Sequence, residues 1–164
     1  MSHEMNERIL KVIEKNSRLT AEEIAIMLGL ETDDVVHALK DMEERKIICG
    51  YHTLVNWDKA NDDEVSAVIE LKVNPQRGAG FDKIAARVYQ FPEVDAVYLM
   101  SGAYDLLVEM RKAPMKDIAS FVARRLSTIE EVQSTATHFI LKRYKDHGTL
   151  FVDEDKDKRM VVSP

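Results

Sequence analysis

Cysteine is almost missing from this chain: Cys49 is the only one among 164 residues. That excludes an internal disulfide framework and suits a reducing compartment. Proline and glycine are scarce, at 4 and 6 residues, and no segment is low in complexity. Folded structure is therefore expected nearly throughout. No apolar run approaches the ~20 residues of a membrane span. The N-terminal stretch MSHEMNERIL is charged and lacks the apolar core of a signal peptide. A soluble, cytoplasmic protein with no membrane partner is the expectation. A surplus of positive charge is lacking as well. The chain has 23 Lys and Arg against 29 Asp and Glu, a net charge of −6, whereas nucleic-acid binders usually carry a basic footprint. Neither half compensates: residues 1–60 hold 8 bases against 12 acids, and residues 61–164 hold 15 against 17. Any DNA affinity has to come from local patches.

What is present first is helical periodicity. Residues 6–16 place Ile9, Leu10, Val12 and Ile13 on one side of a short helix, with Arg8, Lys11 and Lys15 as a basic stripe elsewhere and Arg18 just after it. Thr20 and Glu23 stand in capping-box spacing ahead of a second helix that buries Ile24, Ala25 and Leu28 and stops at Gly29. After a short turn, Thr32 is expected to N-cap a third helix with Val35, Leu39 and Met42 facing inward. Two helices joined by a short glycine-containing turn form the helix-turn-helix pattern. The following KIICGYHTLVNW is β-rich and short, which suggests a strand or wing. It leads into a polar hinge over residues 55–64, so residues 1–54 read as a winged helix-turn-helix domain.

The second half changes period. Residues 65–73 alternate, with Val65, Ala67, Ile69, Leu71 and Val73 on one face. A helix is expected at about 79–90, with Phe81, Ile84, Ala85 and Val88 aligned. Strands follow in VDAVYLM and YDLLVEM. A helix then begins at Pro114 with Met115, Ile118, Ala119, Val122 and Leu126 aligned, and a last strand spans 132–144. Strand, helix, strand, strand, helix, strand is the ferredoxin-like βαββαβ order, giving an α+β protein whose second domain spans 65–145. Such a sheet carries helices on one face only, so the open face predicts a homodimer. Residues 146–164 read as a hairpin arm, with LFV and MVV around a charged tip.

Three of these stretches, in order, resemble the Lrp/AsnC (feast/famine) family of transcriptional regulators: the helix-turn-helix ending MEERKIICGY, the loop SGAYDLLVEM, and the strand VQSTATHFILK. The resemblance covers about residues 5–145. It implies double-stranded DNA as one partner and an amino acid or related metabolite as the effector, with pairing through the sheets and assembly up to an octamer. It also implies an effector site at Gly102, Tyr104 and Asp105, with Thr135 and Thr137 on the final strand. The third helix would enter the major groove. There the chain departs from the family, with Glu31 for a common Ser, Ala38 for a common Arg, Asp41 for a basic residue and Lys46 for the usual Gly.

The residues themselves leave two readings open for that acidic helix. Asp33 and Asp34 in its first turn favour the positive end of the helix dipole; alternatively, an acid accepts a hydrogen bond from cytosine. Thr32, His37 and Lys40 are the outward-facing candidates for base contacts. Arg8, Lys11 and Lys15 are candidates for phosphate contacts, or simply a solvated face. The 102–105 loop reads either as a ligand cradle or as a tight hairpin with a satisfied aspartate. Arg124 and Arg125 suit a helix C-terminus.

Catalytic and metal readings are weak. Cys49 and His52 lack two further zinc ligands. Asp153, Asp155 and Asp157 imitate half a calcium loop, but Lys158 and Pro164 occupy the positions of its Gly and Glu. His138 sits on a strand. No nucleophile elbow, phosphate loop or dinucleotide fingerprint is present. The chain is expected not to be an enzyme and to need no cofactor.

Overall fold

A computed structural model describes residues 3–60, 63–74 and 80–152. The chain divides into two compact units, Met1–Val55 and Asn56–Pro164. No helix among the described residues is long and apolar enough to cross a membrane.

The first unit is built from α1 (His3–Lys15), α2 (Ala21–Leu28) and α3 (Thr32–Glu44). Ile9 and Ile13 of α1, Ile24 and Ala25 of α2, and Val35, Ala38 and Met42 of α3 form its core with Ile48. The capping box of α2 is realised. Thr20 Oγ1 accepts from the Glu23 amide at 3.2 Å, and Glu23 Oε2 accepts from the Thr20 amide at 2.8 Å. Gly29 ends the helix in the left-handed region, at φ 66° and ψ 44°. Leu28 is half-buried rather than core.

Three expectations for this unit are corrected. Thr32 is not the N-cap of α3. Glu31 holds that position in an extended conformation without a side-chain cap bond, because its carbonyl already accepts from the Val35 amide at 3.2 Å and the helix starts one residue early. Ala38, set beside a family arginine, is fully buried, so it is a core position while Leu39 is half-buried. No strand or wing forms over residues 47–56. Its first part is folded back on α3 instead: the Ile47 and Ile48 amides donate to the Met42 carbonyl at 2.8 and 3.1 Å, and the Tyr51 hydroxyl donates to Glu43 at 2.7 Å. Amides committed to a helix end are not free for a ladder. The bond from Ile47 to Met42 and that from Lys46 to Glu43 (3.0 Å) make a Schellman closure. Lys46 occupies its left-handed position at φ 59°, where the family's glycine is at ease.

In the second unit, β1 (Val65–Val73), α4 (Gly80–Val88), β2 (Val94–Leu99), β3 (Leu106–Ala113), α5 (Met115–Phe121) and β4 (Val132–Ile140) follow the expected order. The sheet runs β2-β3-β1-β4 and every pairing is antiparallel. Ala67, Ile69, Leu71 and Val73 alternate inward against Ile84 and Val88 of α4 and Ile118 and Phe121 of α5. Each fully buried aliphatic side chain there contributes about 1.5–3 kcal/mol. Both helices lie on that face. The other face presents Val68, Glu70, Leu107 and Glu109 half-buried and Tyr98 exposed, with His138 Nε2 at 3.3 Å from Glu70.

The second helix departs from expectation. It begins after Pro114, which is its N-cap, and closes in a π-helical turn at Val122–Leu126. Widening that turn lets Phe121 and Val122 both reach the core, while Met115 is exposed and so is Ala119. The last strand of the sheet ends at Ile140, short of the expected 144, and a short hairpin follows it. Strands β5 (Lys145–Asp146) and β6 (Thr149–Leu150) flank His147 and Gly148, whose φ values of 43° and 79° are those of a type I′ turn. Its Phe151 carbonyl accepts from the Asn56 side chain at 3.2 Å. The expected MVV run and the aspartates at 153, 155 and 157 lie outside the described residues.

Candidate functional site

The loop between β2 and β3 is fastened at its exit. The Met100 amide donates to the Asp105 carbonyl at 2.8 Å, and the Asp105 amide donates to the Leu71 carbonyl of β1 at 3.0 Å. Asp105 is itself an anchor, since its carboxylate accepts from the Val73 amide at 2.9 Å and from Lys72 Nζ at 3.1 Å. Those contacts, the Val73 amide first, hold its carboxyl below the ordinary carboxylate range against the opposing effect of burial. Only 18% of the side chain is exposed. Lys72 was not singled out in the sequence: it lies on the polar side of β1, and nothing local ties it to a residue 33 positions away.

Between those fastenings, residues 101–104 bend without a ladder, and none of their amides donates to a carbonyl among the described residues. Gly102 is exposed, and a Cβ built there would meet nothing within 4 Å. Tyr104 is half-buried. Free amide donors beside a fixed carboxylate can serve both charges of a zwitterion: N–H groups for a carboxylate, Asp105 for an ammonium. Thr135 and Thr137 stand opposite Leu71 and Ile69 across the β1–β4 ladder. They therefore share the helix-covered face of the sheet, one strand beyond the segment of β1 that receives the loop.

The six DNA-contact candidates are placed unevenly. Arg8 donates to the Leu28 carbonyl at 2.7 Å, closing the end of α2. Lys11 is paired with Glu7 at 2.6 Å. Lys15 and His37 are exposed, and Thr32 is half-buried. Lys40, with 73% of its side chain exposed, lies 4.0 Å from Glu44. Arg45 is held by Asp41 at 3.0 Å. The exposed acids Asp33, Asp34, Glu43 and Glu44 dominate this surface of α3. Among the described residues no cluster of His, Cys, Asp or Glu is arranged to hold a metal ion.

Comparison with known proteins fits both units. Residues 66–150 match the Lrp/AsnC ligand binding domain. The chain is 47% identical over 162 residues, 98% of either chain, to the HTH-type transcriptional regulator YugG of Bacillus subtilis strain 168. It is 26% identical over 135 residues, 82% of this chain and 87% of the relative, to the proline dehydrogenase transcriptional activator of Rhodobacter capsulatus. A solved transcriptional regulator from Neisseria meningitidis, in complex with L-Met, superposes with a TM-score of 0.71 at 26% identity, covering 89% of this chain and 94% of that one. These similarities define a transcription regulator of the helix-turn-helix type, not an enzyme. The chain belongs to the Lrp/AsnC family.

Proposed function

We propose that this chain is a sequence-specific DNA-binding regulator whose assembly and DNA affinity respond to a small amino acid held at the 102–105 loop. One observation carries the reading: unpaired amides at 101–104 stand next to a carboxylate fixed by Val73 and Lys72. The amides meet the amino acid's carboxylate, Asp105 its ammonium group, and Thr135 and Thr137 border the same end of the sheet. The open sheet face, with Val68, Leu107 and Tyr98, pairs two chains into a homodimer, and dimers associate into an octamer. The DNA-reading surface is α3 with Thr32, His37 and Lys40, and Lys15, Lys11 and Arg8 approach the phosphates. With so few free cations per chain, affinity comes from several copies acting on one DNA. For the ligand to act, it must bind one assembly or domain arrangement more tightly than the other.

Sedimentation and DNA binding of the purified chain, measured with and without L-methionine and other small amino acids, test this reading. A shift in both with one amino acid, abolished by Asp105→Asn, is expected. No shift in either, with any amino acid, contradicts it.

A second reading has its own support. Arg8 and Lys11 are already engaged within the first unit, and acids dominate α3. In that reading the chain is a metabolite-binding subunit that meets DNA only beside a more basic partner. Specific binding by the chain alone eliminates it.

A further inference from the structure

Both carboxylate oxygens of Asp105 are engaged before any ligand reaches the loop. Oδ2 accepts from the Val73 amide at 2.9 Å, and Oδ1 accepts from Lys72 Nζ at 3.1 Å. An arriving ammonium group therefore meets a carboxylate that already holds a cation. Two ammonium groups on one oxygen repel each other, and more so where water is partly excluded. The Val73 amide belongs to the backbone of β1 and stays. Lys72 can leave: 43% of its side chain is exposed, and Asp105 is its only partner among the described residues. The ladder is irregular here too. Lys72 faces Ser134 of β4 and Val73 faces Val132, so Gln133 is an extra residue, and bulges of this kind are over-represented beside functional sites.

The strand sets where the lysine goes. Side chains of β1 alternate between faces. Leu71 and Val73 are buried under the helices, so Lys72 stands on the open face in line with Glu70 and Val68. Positions two apart on one face are separated by about 7 Å, within reach of a lysine stem. Glu70 has one partner, His138 at 3.3 Å, which is cationic only when protonated. Glu109, opposite Val68 on β3, makes no ion pair among the described residues. The other cations nearby are committed or distant. Arg111 is paired with Asp95 at 3.6 Å and Lys112 with Asp58 at 3.9 Å, while Lys142 and Lys145 lie past Ile140, at the Ser66 end of the face.

We propose that Lys72 couples effector capture to assembly: an ammonium group arriving at Asp105 displaces Lys72, which swings along the open face to Glu70 and tightens the pairing of two chains. The proposal rests on the effector and homodimer reading given above. A two-fold pairing brings two copies of Glu70 and of Glu109 together, so neutralising Glu70 removes like-charge repulsion across the interface. The effector then binds the paired state more tightly, which is what a shift in assembly requires.

Sedimentation of the full chain over a concentration series tests this, first with no amino acid present. Asp105→Asn frees Lys72 without a ligand and should tighten self-association at least about fivefold, the low end of typical couplings. Asp105→Asn combined with Lys72→Gln should lose that gain. Glu70→Gln, on the exposed face, should associate tightly by itself. The series is then repeated with L-methionine and other small amino acids, with binding followed by calorimetry. Glu70→Gln should bind the amino acid as wild type does while its sedimentation no longer responds. Lys72→Gln should sediment alike with and without it. Three results overturn the proposal: Asp105→Asn associating like wild type, a gain in Asp105→Asn that survives Lys72→Gln, or a Lys72→Gln variant whose assembly still responds to the amino acid. Failure of wild type to bind any amino acid contradicts the effector reading instead, and the ligand-free comparison of Asp105→Asn with the double variant still decides the role of Lys72.

Discussion

The 102–105 loop and the third helix are built in opposite ways. The loop is short, irregular and tied down from outside itself, with Asp105 bonded to Leu71, Lys72 and Val73 of another strand. The helix is regular, and its outward side chains are solvated or paired locally, with neighbours four residues away or, for Glu43, with Tyr51 just beyond its end. A preorganised loop loses little entropy on capturing a small ligand. An exposed helix with an acidic majority gains little per contact, so its affinity depends on the number of copies engaged. Under the proposed function, the contrast teaches that specificity for small molecules resides in single residues, whereas the grip on DNA is collective.

The largest expected effect comes from the core beneath the loop. Leu106→Ala should destabilise the second unit by about 2–5 kcal/mol through lost burial and a cavity, read by chemical denaturation, and should loosen the loop that precedes it. An equally large effect of Leu106→Ala on the helicity of the first unit would break the division into two units. Asp105→Asn comes next, with effector binding weakened at least about tenfold. Its stability cost has a signed pH dependence. Because the folded carboxyl titrates below its ordinary value, it stabilises the protein above that value. The difference between wild type and variant should be full near neutrality and shrink as pH falls below about 4. A gap that widens in acid would contradict the anchoring role.

Smaller effects sharpen the other side of the comparison. Thr20→Ala removes half of the capping box and should cost about 0.5–2 kcal/mol in a thermal melt. Lys46→Gly, at φ 59°, should instead stabilise the first unit by up to about 1 kcal/mol by relieving the left-handed conformation. Replacing Asp33 and Asp34 by Asn should cost the helix about 0.3–1 kcal/mol each from the dipole and raise DNA affinity at low salt without altering site preference. Loss of binding confined to the cognate site would mean that those acids read bases.

Much of this arrangement was legible in the sequence, for local reasons. The Thr20 and Glu23 spacing and the stop at Gly29 are decided within a turn of helix, and the alternation of residues 65–73 reports one buried face directly. Features set by distant partners were not legible. The 47–56 segment has strand composition, yet the amides of Ile47 and Ile48 at its start are taken by Met42. The bond from Lys72 to Asp105, the extra residue of β3 opposite Ser66 and the π-turn leave the hydrophobic pattern nearly unchanged, so periodicity passes over them. Arg124 and Arg125 read as ordinary residues of a helix end. The π-helical turn that carries them leaves no mark on the helical period.

The most direct test of the account is binding of the full chain to the DNA upstream of its own gene, against scrambled DNA, across a salt series. It should be run with and without the amino acid that shifts sedimentation. The account predicts a preference for the upstream DNA, with a log–log salt slope of several units at roughly 0.9 per neutralised phosphate, and an affinity that the amino acid changes in wild type but not in Asp105→Asn. No preference for that DNA at any salt, with or without the amino acid, would contradict it.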